Sequence, residues 1–316
     1  MKISAFSFVR NGDSLYYPVV ESIRSALPLC HEFVIAVGKG DPGDRTRERI
    51  AEIGDSRIRI LDTVWDMRHF ERGAVNARQT DIAREACTGD WLLYLQADEV
   101  IHERYLPAIR RRCEELHHDA AVEGLLFRFR HFWGDYEHYF ESHAWYNEEI
   151  RCIRNLPEIH SWHSAQSFRY FHRYDGPWQA SNTRKLRVAR ANAEIYHYGW
   201  VRPPHLMQRK KKALRAVHAG PERADAQFAS RPQEFDYGPL ETLPVFTESH
   251  PAVMRERIAA LDWRDKLRLD GPRPRGTDGD GYKHYRLKYR FLTTIERLLF
   301  GGRQVFGSRN YRLVRC

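Results

Sequence analysis

Asp90-Trp91-Leu92-Leu93-Tyr94-Leu95-Gln96-Ala97-Asp98-Glu99 is the stretch whose reading decides the fold. Its first part, 91–95, is apolar at every position, as in a strand covered on both faces of a parallel sheet. The run stops abruptly at an acidic motif, which sets a carboxylate at the C-terminal tip of a buried strand. Open α/β sheets bind ligands along that edge. A carboxylate there can hold a divalent cation, and the cation a diphosphate. The alternative is an acidic strand end that caps the helix after it.

Working outward, the segments before this strand repeat one theme. Strand-like 3–9 is followed by Asp13-Ser14, a helix start, and by Leu15, Val19, Val20, Ile23 and Leu27 at helical spacing. Strand-like 33–37 ends in a loop of turn formers over 38–44. Residues 46–53 read as a short helix, 58–61 as a strand, and 73–87 as a helix that stops before Gly89. Strands alternating with helices at this spacing imply a parallel sheet with right-handed crossovers. Downstream, 103–116 is helical and 124–132 is a long strand. Residues 132–200 are dense in Trp, Tyr, His and Phe and rich in short polar turns, which suits a loop-built binding half. Pro203-Pro204 breaks the chain ahead of a basic helix over 205–219 that contains Arg209-Lys210-Lys211-Lys212. A Gly/Pro/Asp-rich stretch, 270–281, reads as a flexible linker. Beyond it Phe291, Leu292, Ile295, Leu298 and Leu299 share one helical face.

The 316 residues are 42% hydrophobic and 13% aromatic, enough for a real core and too apolar for global disorder. No run of eighteen apolar residues exists to span a membrane. The N-terminal apolar stretch is short and lacks a small-residue cleavage site, so it reads as a strand and not a signal. Cys30, Cys87, Cys113, Cys152 and Cys316 are scattered without a Cys-x-x-Cys pair, which argues against a disulfide framework or structural zinc and points to a reducing cytoplasm. The net charge is +9, and residues 282–316 carry nine Lys or Arg against one Glu, nearly the whole excess. A basic amphipathic helix suits the interface of an anionic membrane; packing on the rest of the chain with its basic residues in water is the other reading. No nucleic-acid partner is expected, since stacking aromatics are not interleaved with the basic residues along a groove.

Five short segments in this order resemble a family 2 glycosyltransferase of the GT-A type. They are Val9-Arg10-Asn11, Asp44-Arg45-Thr46, Asn76-Ala77-Arg78-Gln79, Thr88-Gly89-Asp90-Trp91 and Leu95-Gln96-Ala97-Asp98-Glu99. The resemblance is close over 1–100 and looser over 100–205. It implies an α/β fold with a mostly parallel sheet flanked by helices: a catalytic domain over 1–205, with a nucleotide-binding half (1–100) and an acceptor half (101–205), then a basic helical extension over 206–316.

The family usually has Asp-x-Asp at the strand tip. Here Gln96 takes the first place, where its amide can still hydrogen-bond a ribose hydroxyl, and Asp98 keeps the last. The resemblance implies that Asp98 holds Mg²⁺ or Mn²⁺. A His far downstream often helps, and His197 in Ala193-Glu194-Ile195-Tyr196-His197-Tyr198-Gly199-Trp200-Val201-Arg202 fits that part. The alternative for His197 is a hydrogen-bonded core histidine. Gly199 would permit close backbone approach, and Arg202 could pair bidentately with diphosphate. Arg10, Asn11, Lys39 and Asp41 follow the first two strands, where the family binds the base, and Arg78 lies where an Arg faces the nucleotide or holds the acidic motif. The alternative for Arg10 and Lys39 is plain surface charge.

An inverting transfer needs a base for the acceptor hydroxyl. The residues available over 140–180 are Glu148, Glu149, His160, His163 and Asp175, with His163 and Asp175 foremost. The implied activity is transfer of a sugar from a nucleoside diphosphate sugar to a carbohydrate or lipid-linked acceptor, as in surface polysaccharide or glycolipid synthesis, with peripheral membrane contact through the C-terminal helix. A nucleotidyltransferase would show a Gly-rich first loop, and a dinucleotide-dependent dehydrogenase Gly-x-Gly-x-x-Gly; neither is present. A non-enzymatic binder of lipid or nucleic acid would act through residues 282–316.

Overall fold

The computed structural model describes residues 1–67, 71–273, 282–302, 304, 305, 307 and 309–314. Four strands, β1 (Ile3–Val9), β2 (Glu32–Gly38), β3 (Ile58–Thr63) and β4 (Trp91–Tyr94), lie in the order β3-β2-β1-β4. All are parallel. The crossovers between them carry α1 (Val19–Ala26), α2 (Thr46–Ala51) and α3 (Ala74–Glu85). Every residue of β2 and β4 is buried, which is why their sequences show no polar face.

The sheet continues past β4 with mixed pairing. Three more elements are β5 (Glu99–Ile101), α4 (Leu106–Glu115) and β6 (Gly124–Trp133). The remaining strands are β7 (Tyr139–Phe140), β8 (Glu148–Arg154), β9 (Ile159–Trp162), β10 (Ser167–Phe171), β11 (Thr183–Trp200) and β12 (Tyr311–Leu313). β8 enters antiparallel between β4 and β6, β11 runs parallel to β6, and β10 and β9 follow antiparallel. β5 pairs antiparallel and β12 parallel with β11. The α/β architecture with flanking helices is thus as expected, with continuous parallel pairing confined to the first four strands.

Both faces of the sheet are covered. Val19 and Ile23 of α1 and Ile109 and Cys113 of α4 pack on one face with Trp91, Leu93 and Phe127. The Trp91 indole N–H donates to the Cys113 carbonyl at 3.1 Å. On the other face Ala83, Cys87, Ile159 and Phe168 close over Phe6, Val34 and Tyr94. Burying each large side chain of this kind is worth about 1.5–3 kcal/mol. Cys30, Cys87, Cys113 and Cys152 are all free and buried; Cys316 lies outside the described residues.

Three elements differ from the sequence reading. α1 starts at Val19 rather than at Asp13-Ser14. The Asp13 N–H is taken by Thr46 Oγ1 and the Ser14 N–H by the Asp44 carboxylate, both at 3.0 Å, so this stretch is a turn tied to the start of α2. The aromatic region, expected to be loop-built, contains the eighteen-residue β11. Its register shifts between Arg190 and Glu194, around Asn192 at φ 54°, and that bulge hides the alternation.

The segment after 205, expected to be helical, holds α5 (Pro204–Ala219), α6 (Pro221–Phe228), α7 (Arg255–Ala259) and α8 (Leu287–Phe300) but also supplies β12. It builds two further clusters with the sheet, one through Met254 and Trp263 on Phe132 and Tyr198, the other through Met207, Phe235 and Tyr237 on Trp133. In α8 the one buried residue is Glu296, 3.0 Å from His143 Nδ1, while Leu287, Phe291, Leu298 and Leu299 are 79%, 67%, 78% and 72% exposed. Of the expected linker, residues 274–281 lie outside the described part. Among the described residues no helix is long and apolar enough to cross a membrane.

Candidate functional site

The C-terminal tips of β3, β2, β1 and β4 form one continuous edge, and the polar residues singled out in the sequence fall along it in that order. At the β2–β3 end, Gly38, Lys39, Gly40, Asp41, Asp44 and Thr63 line a cleft of about 390 Å³. Asn11, at φ 56° just past β1, locks to Asp41 reciprocally: its amide N–H donates to Asp41 Oδ2, and the Asp41 backbone N–H donates to its Oδ1, both at 2.8 Å. Arg10 donates to Asp41 Oδ1 at 2.6 Å and to the Lys39 carbonyl at 2.9 Å. These four residues therefore meet in one corner. The Arg10–Asp41 pair is half open to water, so it shapes the rim more than it stabilises the fold.

The β4 end is drier. Antiparallel pairing of β5 with β11 sets His197 opposite Glu99, and the Tyr198 N–H donates to the Asp98 carbonyl at 2.8 Å. His197 Nε2 thereby stands 3.7 Å from Asp98 Oδ2. Its other nitrogen, Nδ1, is 2.9 Å from His131 Nδ1, and His131 Nε2 is 2.7 Å from the Tyr146 carbonyl. Burial, reinforced by His197, pulls His131 down to about 3, so it is neutral. A carbonyl can only accept, so His131 carries its proton on Nε2 and accepts at Nδ1 from His197 Nδ1–H. With Nδ1 committed to His131, the ring turns Nε2 toward Asp98. A Cβ on Gly199 would lie 2.4 Å from His197 Nε2 and 2.7 Å from Asp98 Oδ2, so only glycine leaves this cradle open.

The third member came from outside the sequence reading. Lys210, on the inner face of α5, donates to Asp98 Oδ2 at 3.0 Å and to the Gly199 carbonyl at 2.7 Å. Burial alone would raise the Asp98 carboxyl, but Lys210, then His197 and Arg202, hold it well below the usual carboxylate range. Burial, with Arg202 nearby, lowers Lys210 to about 8 against the pull of Asp98. The basic run was visible in the sequence, but nothing in it marks which of four consecutive cations turns inward. His131 was missed because it sits mid-strand among aromatics.

An oxygen donor and an oriented imidazole nitrogen side by side, with the far ring nitrogen fixed by a buried partner, make a chemically apt half-site for a divalent cation. Asp98 and His197 would hold it, and phosphate oxygens would complete its shell. No cluster of three His, Cys, Asp or Glu suited to a metal occurs among the described residues.

Gln96 stays at the β4 tip with its amide engaged; the other expected residues serve the fold or lie apart. Gln96 donates from its amide to the Ala165 carbonyl at 3.0 Å, tying the β9–β10 turn to the β4 tip. Arg202 is fully buried and spends its terminal nitrogens on the Leu15 and Gly199 carbonyls at 2.6 and 3.1 Å, so it braces the backbone under the site rather than facing a diphosphate. Arg78 is exposed on α3. Glu99 is locked to buried Arg151 by two bonds of 2.7 Å. His163 lies on the turn that touches Gln96, between the rings of Trp162 and Trp178 at 3.2 and 4.0 Å; burial, then Arg169, lowers it to about 4. Asp175 is exposed in the β10–β11 connection and paired with Arg173 at 3.2 Å. Glu148 pairs with Arg190, Glu149 accepts from Ser167 at 2.6 Å, and His160 stacks on Tyr174 at 4.0 Å.

No family model matches the chain, and no curated protein matches it in sequence. Among solved structures, S. aureus TarS residues 1–349 in complex with UDP is 12% identical, with a TM-score of 0.39 over 73% of this chain and 71% of that one. Glucosyl-3-phosphoglycerate synthase from Mycobacterium tuberculosis, in complex with Mn²⁺, UDP and phosphoglyceric acid, is 16% identical, with a TM-score of 0.28 over 42% and 43%. The mannosyltransferase PcManGT from Pyrobaculum calidifontis, in complex with GDP-Man and Mn²⁺, is 15% identical, with a TM-score of 0.30 over 42% and 35%. Likeness at this level concerns the layout of the sheet at most and leaves the activity to the site itself.

Proposed function

We propose that the chain transfers a sugar from a nucleoside diphosphate sugar to an acceptor hydroxyl, with inversion at the anomeric carbon. The observation that carries this is the polar row on one sheet edge: a cleft at β2–β3 for the base, Asn11 and Gln96 between, and Asp98 with His197 and Lys210 at the far end for the diphosphate. The row follows the order of base, ribose and diphosphate in such a donor. A divalent cation, Mg²⁺ or Mn²⁺, held by Asp98 and His197 would supply positive charge to the leaving diphosphate. His131 orients the imidazole for that task.

The acceptor approaches from the aromatic side, where the β9–β10 turn reaches the β4 tip through Ala165. His163 is the base on this reading, since Asp175 is engaged in an exposed ion pair. Its ring is neutral at pH 7 and has a lone pair for the hydroxyl proton. The acceptor oxygen then bonds to the anomeric carbon as the bond from that carbon to the phosphate oxygen breaks. Two exposed apolar turns of α8, beside the exposed cations Arg286, Lys288, Arg290 and Arg297, fit a peripheral seat on an anionic membrane and hence a lipid-linked acceptor.

A thermal-shift screen of UDP-, GDP-, dTDP- and CMP-sugars, with and without Mn²⁺, tests the donor class directly. A ligand at a hundred times its Kd stabilises the native state by about 2.7 kcal/mol. One nucleotide class should raise Tm and the others not. No shift with any of them, with or without Mn²⁺, would remove the transferase reading.

A further inference from the structure

The basic run Arg209-Lys210-Lys211-Lys212 is sorted by the fold, one residue at a time. Arg209 is exposed. Lys211 lies over the Phe235 ring at 4.6 Å, and Lys212 pairs with Asp225 of α6 at 2.6 Å. Only Lys210 turns into the site. Its side chain is only 12% exposed, and its ammonium sits between Asp98 Oδ2, the Gly199 carbonyl and the Tyr17 ring, the last at 4.9 Å. It holds the same carboxylate oxygen that His197 Nε2 faces at 3.7 Å.

Burying a lysine there, with the Arg202 guanidinium on the same Tyr17 ring at 4.6 Å, is an expensive way merely to satisfy one carboxylate. A neutral donor would serve packing better. The position makes sense for a cation that has work at the diphosphate. An ammonium has three N–H donors; Asp98 and Gly199 take two, and among the described residues no acceptor takes the third. A four-carbon stem lets the charge swing by a few ångströms without moving α5.

We propose that Lys210 is a tethered counter-ion at the cation seat: in the donor-free chain its ammonium holds Asp98, a divalent ion binds there only by displacing it, and the displaced ammonium binds the diphosphate. The last part rests on the transferase reading; the competition with the divalent ion does not. One charge thus keeps Asp98 neutralised when the site is empty and adds to the anion seat when it is full.

The test uses the full chain and two probes, Mn²⁺ alone and UDP. In an electron paramagnetic resonance titration with Mn²⁺ and no nucleotide, Lys210→Met and Lys210→Gln should bind Mn²⁺ at least tenfold more tightly than wild type, while Lys212→Met should match wild type. By calorimetry with each protein saturated in Mn²⁺, UDP should bind wild type at least tenfold more tightly than either Lys210 variant. Equal Mn²⁺ affinity in wild type and both variants would overturn the competition, and equal UDP affinity the diphosphate role. If UDP and GDP bind no form of the protein while the Mn²⁺ gain appears, the transferase reading fails and the counter-ion stands. Wild-type protein gives an independent readout should a variant not fold. Reductive methylation of Lys210, followed by peptide mass spectrometry, should be slow in EDTA, faster with Mn²⁺ and slow again with Mn²⁺ and UDP; a rate that Mn²⁺ leaves unchanged overturns displacement.

Discussion

Asp98 has its meaning from its neighbours. With Lys210 at 3.0 Å and His197 at 3.7 Å it is an ionised group held in a dry cradle, not a surface acid. Asp98→Asn should therefore lower turnover at least a hundredfold in a product assay, with the far-UV circular dichroism unchanged; an active variant would show that the carboxylate is not needed. A second residue outside the site makes a pH prediction. His284 is buried against Phe140 and Trp133, and neither ring nitrogen meets a partner among the described residues. Burial, with Arg273 nearby, lowers it to about 3. The unfolded chain takes up that proton at about 6.5, so below that pH the unfolded state binds more protons than the folded one. The stability tied to a neutral His284 is full above about 6.5 and is lost as pH falls toward 3. His284→Phe should stabilise the protein by about 1–3 kcal/mol at neutral pH by removing unpaired polar atoms, and should flatten the fall of Tm between pH 6 and 4. An unchanged slope would mean that another group sets the acid limb. At this scale the places of Asp98 and His197 were legible, because an acid ending an apolar run and a His two residues before a glycine are sequence patterns; their role is what the proposal assigns. Lys210 and His131 were not, because whether a side chain faces inward is settled by what packs across from it.

At the scale of elements, the buried parallel strands were the easiest to read, since full burial leaves an unbroken apolar run. β11 was not legible as a strand. Its first half alternates charged and small residues, and its bulge at Asn192 breaks the period. The start of α1 was displaced because the donors of Asp13 and Ser14 are satisfied across space by Thr46 and Asp44, thirty residues on. The face of α8 was correct as a stripe, but its direction follows from Glu296, which is drawn inward by His143 and the Val305 N–H and turns the leucines out. That exposed face makes a prediction: Phe291→Glu with Leu298→Glu should reduce co-sedimentation with vesicles of phosphatidylglycerol at least tenfold and leave binding to uncharged vesicles negligible. Equal sedimentation of wild type and variant would take the membrane away from this helix.

Over the whole molecule, the sheet continues from β4 into β8 by backbone pairing, and a buried ion pair ties β8 to β5. Glu99, the first residue of β5, and Arg151 of β8 are bonded twice at 2.7 Å and almost wholly buried. Removing one member leaves the other charged and dry, so Arg151→Met should destabilise the chain by about 3–5 kcal/mol in urea unfolding, and Glu99→Gln together with Arg151→Met should recover most of the loss. A single variant as stable as wild type would mean that water reaches the pair. The sequence by itself determined the strand order's raw material, the alternation of strand and helix over the first hundred residues and the acid at the strand tip, because burial on both faces and helical spacing are local periodicities. Only the tertiary structure decided that Lys210 meets Asp98, that Glu99 is bound to Arg151 and that Arg202 braces backbone. The first two join residues 112 and 52 apart, and Arg202 reaches Leu15 across 187 residues; such partners are chosen by how distant elements dock, which no local pattern encodes.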